Sequence, residues 1–281
     1  VVSSSLYHLI QQRMKRFLFL FVVLCVAFVL PSNGQTKVTG RVVDASGHGI
    51  EYATISVDSL FCISDADGHF NLQLPRSVTA DINVSHISFK TKLVPPSVFQ
   101  QGYVNVMLEE RAYNLGSVDI VAKQTKLETI VGRGMKLPGD AAFGKEQQGK
   151  VEMGPLFSVK RDYVVASFDM KVEECTYQQC VVRLIVYEVH GAKFEPVQSK
   201  PLYLALTPAN QNTHVKIKTQ GDITLKKGGT YYIGVSVVSG SNAGTLHFPA
   251  HLRSSYVRNL VKGTFKKLPA TLGMVIKGYR I

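Results

Sequence analysis

The feature that most constrains this chain is a rhythm. From Val38 to the end, short runs of β-branched and aromatic residues alternate with turn residues, and no long amphipathic helix interrupts them. "KVTGRVVD" runs into the turn "ASGHG", "YATISV" follows, and "HFNLQL" alternates apolar and polar residues over a strand's length. Such alternation buries one face of each strand and wets the other. The chain is therefore expected to be all-β, in two sandwich domains: a first over residues 36–122 and a larger, jelly-roll-like one over 153–281. In the second, the rhythm resumes in "DYVVASFDMKVEE", "CVVRLIVYEV" and "GGTYYIGVSVV". Residues 123–152 are richer in glycine and charge and read as a linker.

The start of the chain is biased differently. Met14-Lys15-Arg16 precedes the apolar run Phe17 to Leu30 and then "PSNGQT", the three-part layout of a secretory signal peptide over residues 14–34. The run is shorter than the roughly 18–20 residues of a spanning helix; the alternative is an uncleaved N-terminal anchor. Cleavage after Gly34 would leave Gln35 first, and residues 1–13 read as an upstream extension of the reading frame. An exported protein is expected, periplasmic or associated with an outer membrane. Removing Arg13, Lys15 and Arg16 takes the formal +12 to +9, so the mature chain stays basic. That field would draw it weakly to anionic lipid or polysaccharide. Its basic residues are scattered, and no nucleic-acid partner is expected.

Cys62, Cys175 and Cys180 lie beyond the signal segment. In an oxidising compartment, Cys175 and Cys180 in "ECTYQQCV" are expected to form a disulfide, which would constrain the unfolded chain by about 2 kcal/mol. Cys62 would stay reduced.

The first half resembles the carboxypeptidase regulatory-like domain, a transthyretin-like β-sandwich common in exported proteins of Bacteroidetes-type bacteria. The likeness rests on Gly40, Asp44, Gly47, Ile50, Tyr52 and Ala53 in "GRVVDASGHGIEYATISV", and on Ser64, Asp65, Gly68 and Phe70 in "SDADGHF". "VNVMLEERAYNLGSVDIVA" resembles the closing strand and trailing segment. Gly49 stands where the family often has Pro, Phe61-Cys62 where it has Gly-Thr, and Ser88-Phe89 where it has Gly-Tyr. The resemblance implies a sandwich without an active site of its own. The second half is similar in layout to the second sandwich of some exported proteins of this group.

Chemistry-bearing motifs are sparse. Asp65 and Asp67 begin a pattern that opens calcium loops, but Phe70, Leu72 and Leu74 continue as a strand with no further oxygen ligands, so a hairpin turn is expected. His48 and Glu51 have the spacing of two zinc ligands but no third. His247 and His251 flank Pro249, which argues against the helix that would align them. No nucleophile elbow or phosphate-binding glycine loop occurs.

The expected function is therefore that of an exported, non-enzymatic envelope protein, a binding or structural module with no cofactor and no metal. Its partner would be an envelope protein or a glycan. A glycan-binding accessory protein is the alternative, and a hydrolase with its site in the second domain a third reading. The chain has no Trp and twelve Tyr, so sugar stacking would fall to tyrosine. Tyr203, Tyr232, Tyr256 and Arg258 are the candidate ligand residues, with core packing the competing role for each ring.

Overall fold

The computed structural model describes residues 35–75, 78–100, 102–111, 126–241 and 243–281; residues 14–34, where a signal peptide is expected, and residues 117–122 ("SVDIVA") lie outside them. The described chain is all-β, as the alternation implies, with four sheets around two main hydrophobic cores.

The first core is enclosed by two small sheets. In one, β1 (Gln35–Val43) lies between β4 (His69–Pro75), antiparallel to it, and β7 (Tyr103–Met107), parallel to it. The other has the order β3 (Leu60–Ile63), β2 (Thr54–Val57), β5 (Ile82–Ser85), β6 (Lys92–Val94). A single-turn helix, α1 (Pro96–Phe99), starts at a proline and buries Phe99. Strand β4 shows why the sequence pattern works: Phe70, Leu72 and Leu74 are buried while His69, Asn71 and Gln73 are exposed. Beneath Phe70, a Cβ on Gly40 would lie 2.0 Å from the Val104 carbonyl oxygen and 2.7 Å from the Phe70 ring, so only glycine fits that crossing.

The "SDADGHF" hairpin is a turn built by a carboxylate. Asp65 Oδ1 accepts the backbone N–H groups of Asp67 at 3.0 Å and His69 at 2.8 Å, and Gly68 takes φ 82°. Asp44 does the same one loop earlier, accepting from Ser46 at 2.8 Å and His48 at 2.9 Å. The two loops interlock. A Cβ on Gly49 would meet the Asp67 carbonyl oxygen at 2.1 Å, so proline could not occupy Gly49 in this packing.

The second core lies between a nine-stranded and a five-stranded sheet. The large one runs β12 (Glu174–Cys175), β19 (Thr245–Asn259), β10 (Val151–Ser158), β18 (Thr230–Gly240), β13 (Cys180–His190), β14 (Lys193–Pro196). β9 (Met135–Gly144) and β20 (Thr264–Leu272) also pair β19, and β15 (Leu202–Leu206) pairs β13. The smaller sheet is β16 (His214–Lys218), β11 (Tyr163–Lys171), β21 (Met274–Arg280), β8 (Leu127–Val131), with β17 (Thr224–Leu225) on β11.

This corrects the expectation of a linker at 123–152. Within the described residues, β8 and β9 occupy that stretch as paired strands, and Val131, Ala141 and Phe143 are buried in the second core. The composition misled because most of β9 is exposed and is held by backbone pairing to β19, which demands no apolar side chains.

The outer face of the nine-stranded sheet is not left to solvent. A third cluster, Ile185, Tyr187 and Tyr232, sits on it, with Ile87 of the first half packed against the cluster.

Candidate functional site

Where the two halves meet, a groove of about 520 Å³ opens between the loops after β1 and β5 and the segment leading into β15. Its aromatic element is Tyr52 against Tyr203, with ring centroids 4.8 Å apart and planes at 44°. Tyr52 has φ 59°, a left-handed backbone that costs a non-glycine residue of order 1–3 kcal/mol and tends to persist where the surrounding structure demands it. The neighbouring chain makes that demand: the Tyr52 N–H donates to the Ser64 carbonyl at 3.1 Å, and the Ser64 hydroxyl bridges the Ile50 carbonyl and the Ala53 N–H. Burial, then the Glu51 carboxylate, pushes the Tyr52 hydroxyl well above its ordinary range. Burial likewise pushes Tyr203 up to about 12, so both phenols are hydrogen-bond donors at neutral pH. Asp44, Glu51, Ser88, Arg111 and Lys200 complete the polar lining. Tyr203, although packed against Tyr52, keeps 38% of its surface exposed.

The other candidate tyrosines are elsewhere. Tyr232, Tyr256 and Arg258 do come together, but as a packed nest on the outer face of the nine-stranded sheet, apart from Tyr203. Tyr232 is fully buried, stacked on Tyr187 at 5.9 Å and edge-on to Tyr256 at 5.8 Å, and has no face to offer a ligand. The Arg258 guanidinium lies 3.9 Å from the Phe194 ring centroid and bonds the Glu152 carboxylate, which has no exposed surface. Tyr187 donates to the same carboxylate at 3.3 Å. Gly234 makes the room: a Cβ there would fall 2.6 Å from the Glu152 carboxyl carbon. This is a buried ion pair in an aromatic cage, and its chemistry is that of packing.

Cys175 and Cys180 are separate thiols here, both buried, each at one end of the loop joining β12 to β13. Burial first, then the neighbouring Cys175, pushes Cys180 up to about 12. Cys62 is raised to about 12 by burial. The histidines are dispersed. His48 Nδ1 is 3.3 Å from Asp44, His247 lies 3.5 Å from Asp140, and His251 is buried with Nδ1 3.0 Å from the Pro249 carbonyl. No group of three His, Cys, Asp or Glu poised around one point occurs among the described residues. Nor is any described helix long and apolar enough to cross a membrane.

Sequence reasoning missed Arg183, His86 and Glu152. A lone arginine amid the apolar strand "CVVRLIVYEV" and a lone glutamate in "VEMGP" were the available signals.

No family model matches the chain, and no curated protein matches it. Among solved structures, one titled "Structure of infectious bursal disease virus Gx strain" is 8% identical with a TM-score of 0.15, covering 88% of this chain and 59% of its own. Another, "The 2.6A structure of Infectious Bursal Virus Derived T=1 Particles", is 11% identical with a TM-score of 0.12, covering 88% and 77%. The chain thus spans under two thirds of the first, and scores this low carry no argument about fold or function.

Proposed function

We propose that this is an exported, non-enzymatic protein of the bacterial envelope that binds a polar ligand, best read as a glycan, in the groove between its two β halves. The reading includes a carboxypeptidase regulatory-like first half, on the motifs around Gly40 to Ala53 and Ser64 to Phe70. One observation carries the binding role: a strained Tyr52 holds its ring against half-open Tyr203 in a cleft whose size falls within the roughly 300–1,000 Å³ of small-molecule sites. Flat apolar rings beside Glu51, Asp44 and Ser88 are what a sugar needs, stacking on its C–H face and bonding for its hydroxyls. An envelope protein would instead require a broad docking surface.

A glycan array probed with the purified protein tests the reading, each hit being followed for products over hours. Binding without turnover is expected. Release of reducing ends would favour the hydrolase reading, and an array with no hits would favour a purely structural module. Export is tested separately by amino-terminal sequencing of envelope-fraction protein, where Gln35 or a near neighbour is expected first.

A further inference from the structure

Beside the groove lies a second, smaller cavity of about 250 Å³, open to solvent, between the outer face of β2 and β5 and the outer face of β13. Strand periodicity places its lining. Along β13, Val182, Leu184 and Val186 enter the second core, so Arg183, Ile185 and Tyr187 point the other way, into the cavity. Along β2 and β5, Ile55 and Val84 enter the first core, so Thr54, Ser56, Asn83 and Ser85 face Arg183 across the gap. Arg111 closes one side.

The composition of this wall is one-sided. Three arginines line it and no aspartate or glutamate does. Only one of the three is neutralised within the described residues, Arg258 by Glu152; the other arginine ion pair among those residues is the distant Arg133–Asp169. Arg183 is 6% exposed, yet its Nε is buried with no hydrogen-bond partner. A buried charge without a partner is expensive, and buried polar groups are almost always satisfied by something.

We propose that this cavity is an anion site, and that it takes a phosphate group held by the Arg183 and Arg111 guanidiniums and by the hydroxyls of β2 and β5. Phosphate fits better than a carboxylate because its oxygens are tetrahedrally disposed, matching donors that converge from two sheets, whereas a planar carboxylate presents only two; an arginine fork can hold it bidentately. His86 belongs to the same wall. Its Nδ1 accepts the Ser88 N–H at 3.2 Å, so the neutral ring carries its proton on Nε2 and has a donor to give. Asp44, Glu51 and Glu110 line the neighbouring groove, which shares Arg111 and His86 with the cavity but not Arg183.

Calorimetry with inorganic phosphate against chloride at equal ionic strength, on the intact mature protein, reads the proposal. One saturable site is expected, with a melting temperature that rises with phosphate and not with chloride. Arg183→Met should weaken binding by about tenfold or more. Should that variant fail to fold, Arg111→Met, at the cavity's more open side, is expected to weaken it by at least several-fold. Glycerol 1-phosphate run alongside separates the sources: tighter binding of the ester points to a phosphoryl end of a larger envelope molecule, tighter binding of phosphate to the free ion. Identical melting curves in phosphate and chloride would mean the cavity holds only water, and would overturn the proposal. So would wild-type affinity in a folded Arg183→Met or Arg111→Met variant. Arg111 also lines the groove, so Arg183→Met, at a residue that lines the cavity alone, is the variant that separates the two sites.

Discussion

Replacing Glu152 by methionine should cost this protein about 3–5 kcal/mol, because the change leaves a charged guanidinium caged by aromatic rings with nothing opposite it. Glu152 has no exposed surface, and its carboxylate is the only one paired with Arg258 among the described residues. Desolvation, as the largest influence, works against the Arg258 charge, and Glu152 offsets it to leave the group more firmly protonated than usual. For a chain of this size, 1 kcal/mol moves Tm by about 2–4 °C, so a fall of roughly 6–20 °C is expected. The double variant Glu152→Met/Arg258→Met removes both charges while keeping comparable volume. It should lie within about 2 kcal/mol of wild type, the residue being the Tyr187 hydroxyl that loses its acceptor. Urea denaturation followed by circular dichroism, with the slope m unchanged, measures all four corners of the cycle. A Glu152→Met cost below about 1 kcal/mol, or a double variant as damaged as the sum of the singles, would refute the claim that this pair is a buried, mutually dependent unit.

Further outcomes follow from other sites. Gly68→Val should destabilise by well over 1 kcal/mol, since Gly68 has φ 82° and a Cβ would meet the Val42 carbonyl oxygen at 2.2 Å; Asp67→Asn should change Tm little, with or without calcium. Burial, with Arg183 adding to it, pushes His86 down to about 4, so folding favours its neutral ring. That contribution is complete above the unfolded value near 6.5 and is lost as pH falls toward 4, up to about 3 kcal/mol in all; His86→Gln should flatten this part of the stability profile in urea titrations between those pH values. Mild oxidation of the folded protein should join Cys175 to Cys180 and leave Cys62 alkylatable, which mass spectrometry of non-reduced peptides would show; two free thiols after oxidation would count against the pairing.

What the sequence could convey depended on whether a residue's environment is set by its own strand. "HFNLQL" was legible because β4 has one wet face and one buried face, and Asp65 with Gly68 announced the hairpin that leads into it. Residues 127–144 were not legible, because β9 is fixed by its partner strand while most of its side chains stay in water. Adjacent Tyr231 and Tyr232 point to opposite faces of β18, as neighbours in a strand must, but nothing local says that the outer face is covered as well; both are buried, Tyr231 in the second core and Tyr232 under Phe194 and Tyr256. The groove and the cationic cavity are products of that same stacking of sheets. Tyr52 and Tyr203 stand 151 positions apart in the numbering and meet only because the two halves do.

The most direct test of the binding role is calorimetric titration of the strongest array glycan into wild type, Tyr203→Ala and Tyr103→Ala. Tyr103, 55% exposed on β7 and outside the groove, controls for loss of an exposed tyrosine. The account predicts that Tyr203→Ala weakens binding by about tenfold or more, near the 1.4 kcal/mol that one stacked ring can supply, while its melting temperature stays close to wild type and Tyr103→Ala binds normally. Equal affinity in wild type and Tyr203→Ala would contradict it.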